Sequence, residues 1–266
     1  GGATQHFALV PMNLGLADAG ADYIVSGHWG EKAVREAAPY VRSRVAASSE
    51  DGGYRSLPPA PVLDADAAYL HYTPNETIHG VEFPFVPPSG DVPLVADMSS
   101  DILSGPLDVS RFGLIYAGAQ KNIGPSGLVL LIVREDLLAR PKRRMANIFN
   151  SAEQAMHDSM LNTPNTWGWY LAGLTFQWLK DEGGMNAIGE RNRAKATALY
   201  AAIDGSGGFY SNQVAVDARS RMNVPFQLHD AALDALFLAE SEAAGMIGLK
   251  GHRVIGVDHN PAFVAA

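Results

Sequence analysis

Apolar runs of strand length recur through the first half of this chain, and stretches of helical periodicity lie between and after them. FGLIYAG and GLVLLIV are rich in β-branched residues, too short for a stable helix and bounded by Gly or Pro, so they read as two buried strands. The loop between them, AQKNIGPSG, is tight and polar and carries Lys121. PLVADMSSDIL is a further apolar run, ending on Asp97 and a pair of serines. Upstream, ADYIVSGHWGEKAVREAAPY predicts a strand followed by a helix, with Trp29 at the junction. AAYLHYTPNETIHGVEF predicts a strand ending in a polar turn. VRSRVAASSEDGGYRSLPPAPVL is rich in Pro and Gly and reads as loop with room for a short edge strand.

The helical periods begin with HFALVPMNL, which follows an opening GGATQ. TWGWYLAGLTFQWLK is a strongly apolar helix, and Gly183 and Gly184 after it mark a boundary. Beyond the glycines come an amphipathic helix (MNAIGERNRAKATALYAAID), a strand (SRMNVPFQL) and a second helix (ALDALFLAESEAAGM). GMIGLKGHR then leads into another strand. The expected architecture is an α/β unit over residues 1–184 and a smaller α+β unit over residues 185–266.

Composition narrows the function classes. The 266 residues can hold one large domain or one and a half, and 47% apolar residues against 18% charged indicate a sizeable core. A net charge of -8 argues against a nucleic-acid partner, which calls for a basic footprint. With no cysteine there is no disulfide framework, thiolate metal site or thiol nucleophile. The longest apolar runs are strand-sized, so no membrane span is expected and the cytoplasm is the default compartment. His71 and His79 show no metal-ligand spacing with another His or carboxylate, so they read as core or surface residues and no metal site is expected.

Candidate chemistry centres on Lys121 and Asp97. A lysine between two buried strands can be partly desolvated, which lowers its pKa and frees the amine as a nucleophile; a solvated loop lysine is the plainer alternative. An Asp at the carboxyl end of a buried strand lies where open α/β sheets bind ligands, though the same residue also suits an N-cap or turn. On neighbouring strand ends the two suit pyridoxal phosphate, the lysine bonding to the cofactor and the carboxylate keeping its ring nitrogen protonated. The glycines and threonine of GGATQ stand before a helix whose free amides can take an anion, or form a plain turn. Trp29 can stack on a planar ligand or belong to the core. Asn75 and Thr77 can bond a ligand or stabilise their turn. Asn162 and Thr163 suit an N-cap with Pro164 in the first helical turn. Lys142, Arg143 and Arg144 read as a solvated face.

AGAQKNIGPSG, with HYTPNETIHG before it and SRMNVPFQL after it, resembles the phosphoserine aminotransferases, a family of fold-type I pyridoxal-phosphate enzymes. The resemblance runs from Gly1 to about Gly256 and implies a mainly parallel sheet flanked by helices with a smaller α+β domain behind it. Cysteine desulfurases, a related group, usually carry His before the lysine, where this chain has Gln120. The resemblance implies that Lys121 bears the cofactor, Asp97 faces its ring nitrogen, Trp29 stacks on the ring and Thr77 contacts it near the phenolic oxygen. Gly2, Ala3, Thr4 and Gln120 are implied to hold the phosphate; many members have Arg where this chain has Thr4. Asn162 and Thr163 are implied to reach across a homodimer interface to the partner's cofactor phosphate. His252 and Arg253 align with a His-Arg pair at the substrate pocket.

The implied reaction moves the amino group of L-glutamate to 3-phosphohydroxypyruvate, giving 3-phosphoserine and 2-oxoglutarate in L-serine biosynthesis, with the related step of pyridoxine biosynthesis as a second use. Family chains begin some tens of residues before Gly1, with an arm that supplies a substrate-binding arginine. They also continue past GHRVIG into a Gly-Gly-Met-Arg-Ala-Ser segment whose arginine is expected to clamp the α-carboxylate. On this reading the chain is an incomplete or diverged member. The alternatives are another fold-type I aminotransferase or lyase, or a non-catalytic protein that keeps the fold.

Overall fold

The five apolar runs of the first half become strands of one sheet in the computed structural model of the chain, which describes residues 2–15, 20–250 and 262–265. A 3₁₀ turn (Ala3–Gln5) opens into α1 (His6–Leu14), followed by β1 (Gly20–Val25), α2 (His28–Ala37) and β2 (Arg42–Ser48). Next come β3 (Leu70–Tyr72), a small hairpin of β4 (Asn75–Glu76) and β5 (Val81–Glu82), then β6 (Leu94–Asp97), β7 (Leu114–Gly118) and β8 (Val129–Val133). The sheet order is β2-β1-β3-β6-β7-β8, parallel except for β8, which runs antiparallel to β7.

The runs are apolar throughout because both faces of the sheet are covered, which removes the need for polar alternation. Along β1 and β7, Tyr23, Val25, Leu114 and Tyr116 pack on the side of α1 and α2, against Phe7, Val10, Ala33 and Ala37. Ile24, Leu70, Ile115 and Ala117 pack on the other side with Ile123 and Ala172. Two expectations need adjustment. The segment read as loop with a short edge strand holds the seven-residue β2, and Arg44 of that strand pairs with the buried Asp22 of β1 through bonds of 2.8 and 2.5 Å. GLVLLIV is a strand but only half-buried, because β8 is the other edge of the sheet.

After the sheet come α3 (Glu135–Leu138), α4 (Ser151–Met156), α5 (Thr166–Asp181) and the 21-residue α6 (Gly184–Asp204). The N-cap that Asn162 and Thr163 also suited is instead Asn165, whose side chain accepts the Gly168 amide at 3.0 Å; Pro164 precedes the helix. The basic cluster is not a plain solvated face either. Lys142 donates to the carbonyls of Leu138 and Arg140, Arg143 to those of Gly15 and Tyr40, and only Arg144 is exposed. The last elements are β9 (Tyr210–Ser211), β10 (Asn223–Leu228), α7 (Asp234–Ala243) and β11 (Ala262–Ala265), with an antiparallel order β11-β10-β9. Val224 and Phe226 of β10 form a core with Ile203 of α6 and Phe237 of α7.

Candidate active site

Four parallel strands end on the same edge, and the candidate residues follow their ends. β1 leads through Ser26 and Gly27 into α2 and Trp29; β3 leads into the β4 hairpin and Thr77. β6 stops at Asp97, and the turn after β7 holds Gln120 and Lys121. This is the edge where open α/β sheets place ligands. A cavity of about 380 Å³ opens there, lined by Gly2, Ala3, Thr4, Trp29, Thr77, Asp97, Gln120 and Lys121, eight of the expected residues in one place. Asn162 and Thr163 line a neighbouring cavity of about 600 Å³ instead, which shares Gly127 with the first. His252 and Arg253 lie outside the described residues.

Lys121 borders the open cavity, yet enough protein surrounds its amine that burial holds its pKa below the usual lysine range, against the pull of Asp97, Glu76 and Asp101. Its Nζ donates to Thr77 Oγ1 at 2.6 Å, which fixes the amine at the cavity wall. Asp97 is buried, and burial pushes its carboxyl up while the Ser99 donors and Lys121 oppose the shift. Its Oδ1 accepts from the Ser99 amide at 3.0 Å and from Ser99 Oγ at 2.5 Å. Tyr116, its register partner on β7, acts on Asp97 through its hydroxyl, which opposes the rise of the carboxyl.

Tyr116 in turn meets His71 Nε2 at 2.9 Å, and burial drives the His71 pKa down to about 3, so the ring is neutral. His71 Nδ1 is buried without a partner. A bare lone pair there costs less than an orphaned N–H, which assigns the proton to Nε2. His71 therefore donates to Tyr116 and leaves the phenolic proton for Asp97. His6 stacks on Tyr116 with ring centroids 5.4 Å apart.

The sequence reading passed over Thr73, Ser126 and Glu76. Thr73 and Ser126 line the cavity, and Thr73 Oγ1 is buried without a partner. Glu76 is fully buried, and nothing in its local sequence signals that burial. Asn75 lines the cavity, but its side chain is already bonded to Ser100, Asn223 and Ser220. Among the described residues no group of three or more His, Asp or Glu side chains is placed to hold a metal, and no helix is long and apolar enough to cross a membrane.

The arrangement can hold a planar ligand that bears a cation at one point and an anion at another. A buried carboxylate such as Asp97 is expensive unless a positive group stands against it, and a neutral amine at Lys121 can bond to a carbonyl carbon.

Comparison with known proteins supports the same chemistry. Residues 1–262 match the aminotransferase class-V family. A phosphoserine aminotransferase of Stenotrophomonas maltophilia (strain K279a) is 58% identical over 258 residues, which are 96% of this chain and 72% of that protein. A solved phosphoserine aminotransferase from Bacillus circulans subsp. alkalophilus superposes with a TM-score of 0.96 at 43% identity, covering 100% of this chain and 73% of its own. The PLP-bound phosphoserine aminotransferase from Trichomonas vaginalis has a TM-score of 0.87 at 33% identity, covering 100% of this chain and 76% of its own.

Proposed function

The chain belongs to the class-V aminotransferases, and from that membership we propose the following reading of its site. It is a pyridoxal-phosphate enzyme of phosphoserine formation, moving the amino group of L-glutamate to 3-phosphohydroxypyruvate. The observation that carries the reading is that Lys121, Asp97, Trp29 and the Gly2–Thr4 turn line one cavity. The residues fit the cofactor: Asp97 is a buried carboxyl in want of a cation, and Lys121 is an amine whose pKa burial lowers.

Pyridoxal phosphate, when bound, supplies a ring that withdraws electrons from the substrate Cα. Lys121 Nζ holds the cofactor covalently, and once released it takes the proton from the amino-acid Cα as general base. Thr77 keeps Nζ oriented between these tasks. Asp97 keeps the ring nitrogen charged, with Ser99 and Tyr116 fixing its carboxylate. Trp29 covers the ring and excludes water. Gly2, Ala3, Thr4 and Gln120 hold the phosphate at the start of α1.

We further propose a homodimer in which Asn162 and Thr163 serve the partner's site. α5 presents Trp167, Trp169, Tyr170, Leu174, Phe176 and Trp178 to the surface, between 38% and 66% exposed. A soluble chain rarely leaves so much aromatic surface uncovered. Trp169 and Phe176 line the same cavity as Asn162 and Thr163, so a second copy seated on α5 also reaches that pair. The division into two units near Gly183 is supported by positive φ at both Gly183 (+96°) and Gly184 (+73°), where the chain turns from α5 into α6. The cytoplasm remains the proposed compartment.

The test is the visible spectrum of the purified chain with pyridoxal phosphate, before and after L-glutamate. A band of lysine-bound cofactor that shifts on adding glutamate supports the reading. A band indifferent to glutamate leaves a cofactor-binding protein without amino transfer, and no band on a folded protein removes the site assignment. Sedimentation at several protein concentrations tests the dimer, which a monomer at every concentration would exclude.

A further inference from the structure

Three consecutive residues of the β4 hairpin hold three different parts of the molecule. Asn75 bonds Ser100 and Asn223, each at 2.8 Å, and Ser220 at 2.6 Å, tying the hairpin to the approach to β10. Thr77 takes the amine of Lys121. Between them, Glu76 turns its buried carboxyl toward α2, where Oε1 accepts the Gly30 amide at 2.8 Å and Oε2 the Trp29 amide at 3.1 Å.

Those amides belong to the first turn of a helix, whose N–H groups have no acceptor within the helix. Such amides are usually satisfied by a local Ser, Thr, Asp or Asn. Here the N-cap is Gly27, which has no side chain to offer, and the acceptor comes from a residue far along the chain. Gly27 makes room for it. A Cβ on Gly27 would stand 2.6 Å from Glu76 Cδ and 2.7 Å from Oε2, and one on Gly30 would stand 3.5 Å from Oε1. Gly27 has an extended backbone, φ 166°, so close approach and not strain is what calls for glycine there.

We propose that Glu76 is a positioning residue for Trp29: its carboxylate clamps the first turn of α2 and so sets where the indole stands in the cavity, in register with the lysine that the adjacent Thr77 holds. The inference rests on the reading of Trp29 as the ring that covers the cofactor. Burial pushes the Glu76 carboxyl up to about 7, with Asp97 acting in the same sense and Lys121 and the two amides against it. Tyr54 is the other titratable group that feels Glu76; its hydroxyl bonds Glu31 of α2, and its ring lies against His79. The charged carboxylate is the stronger acceptor for the two amides, while its burial is what ionisation costs the fold.

The experiment uses the pyridoxal-phosphate-loaded protein. Glu76→Gln keeps the shape but offers one acceptor oxygen where two are needed. We expect cofactor affinity to fall about tenfold, the effect of roughly one lost charged cap, and the visible circular dichroism of the bound cofactor to fall with it. On a Trp29→Ala background the same change should cost less than about twofold, because the ring that the clamp positions is gone. Unchanged affinity and dichroism in Glu76→Gln, or an equal loss on both backgrounds, would overturn the inference while the wild-type band stands. No band in the wild type would instead bring down the cofactor reading beneath it. Amide exchange in the wild type needs no variant to fold: the Trp29 and Gly30 amides that Glu76 accepts should exchange well below the free-amide rate, and free-amide rates at both would count against the clamp.

Discussion

A clamp made from a buried carboxyl should leave a mark on stability with a definite sign. Glu76 titrates at about 7 in the fold against an ordinary value of 4.5, so between those values the folded chain holds a proton that the unfolded chain has released. Where the folded state binds more protons, stability falls as pH rises. The contribution is favourable below 4.5, is lost progressively toward 7, and is level above. Its full size is about 3 kcal/mol, at 1.36 kcal/mol for each tenfold displacement of the ionisation constant. Glu76→Gln has no proton to lose. Relative to the wild type it should therefore gain stability as pH rises, by about 2–3 kcal/mol between about pH 5 and about pH 8.5. The assay is urea unfolding of the cofactor-free protein at fixed protomer concentration, comparing the two proteins at each pH. The difference removes the other groups: His6, His71 and His79 are displaced downward and add stability as pH rises, and Asp101, pushed up to about 8, acts as Glu76 does. Two parallel curves would refute the reasoning, because they would mean that the Glu76 carboxyl does not change its ionisation on folding.

Lys121→Ala should abolish covalent cofactor attachment, so borohydride treatment followed by mass measurement should find no reduced adduct; an adduct on another residue would remove Lys121 from its role. Tyr116→Phe strips a partner from both His71 and Asp97, and leaving buried polar groups unmatched should lower stability by about 1–3 kcal/mol in urea. Equal stability would show that the hydroxyl is not the bridge. Gly80, at φ +68°, lies where a Cβ would stand 2.3 Å from Pro225 Cδ. Gly80→Ala combines overpacking with a left-handed backbone and should destabilise by about 2–4 kcal/mol. A thermal midpoint matching the wild type would show that the hairpin and β10 can separate.

The strands of the sheet and the two residues at its centre were legible because their signals are local. Asp97 ends an apolar run, and Lys121 lies in the short polar loop between two such runs, so each marks a strand end from its local sequence. What escaped depends on partners distant in sequence. The edge strand expected in that segment is there, but its seven-residue length and the pairing of Arg44 with Asp22 of β1 depend on the neighbouring strand. Asn162 and Asn165 carry the same local signal for the α5 cap, and only the backbone path selects the second. Glu76 was silent for the same reason. Nothing near it in sequence needs an acceptor, and the amides that do belong to α2.

The cavity has two kinds of wall, and together they decide what it can hold. Beside Lys121 the cavity is lined by the buried Asp97, whose carboxylate calls for positive charge against it. The turn leading into α1 has no acidic residue in its first positions, and its Gly2 has open space where a Cβ would stand, so that quarter suits an anion. A simple carboxylate would satisfy the second wall and be repelled by the first; a simple amine would do the reverse. A ring with a protonated nitrogen and a phosphate answers both, and its carbonyl meets Lys121, whose pKa burial lowers. Glu76 bears on this balance twice, as a carboxyl whose charge acts on Lys121 and as the acceptor that holds Trp29. Replacing it with a neutral side chain would relieve a stability cost and loosen the ring in the same stroke, which is a physical reason for a carboxyl to sit where a simpler cap would serve.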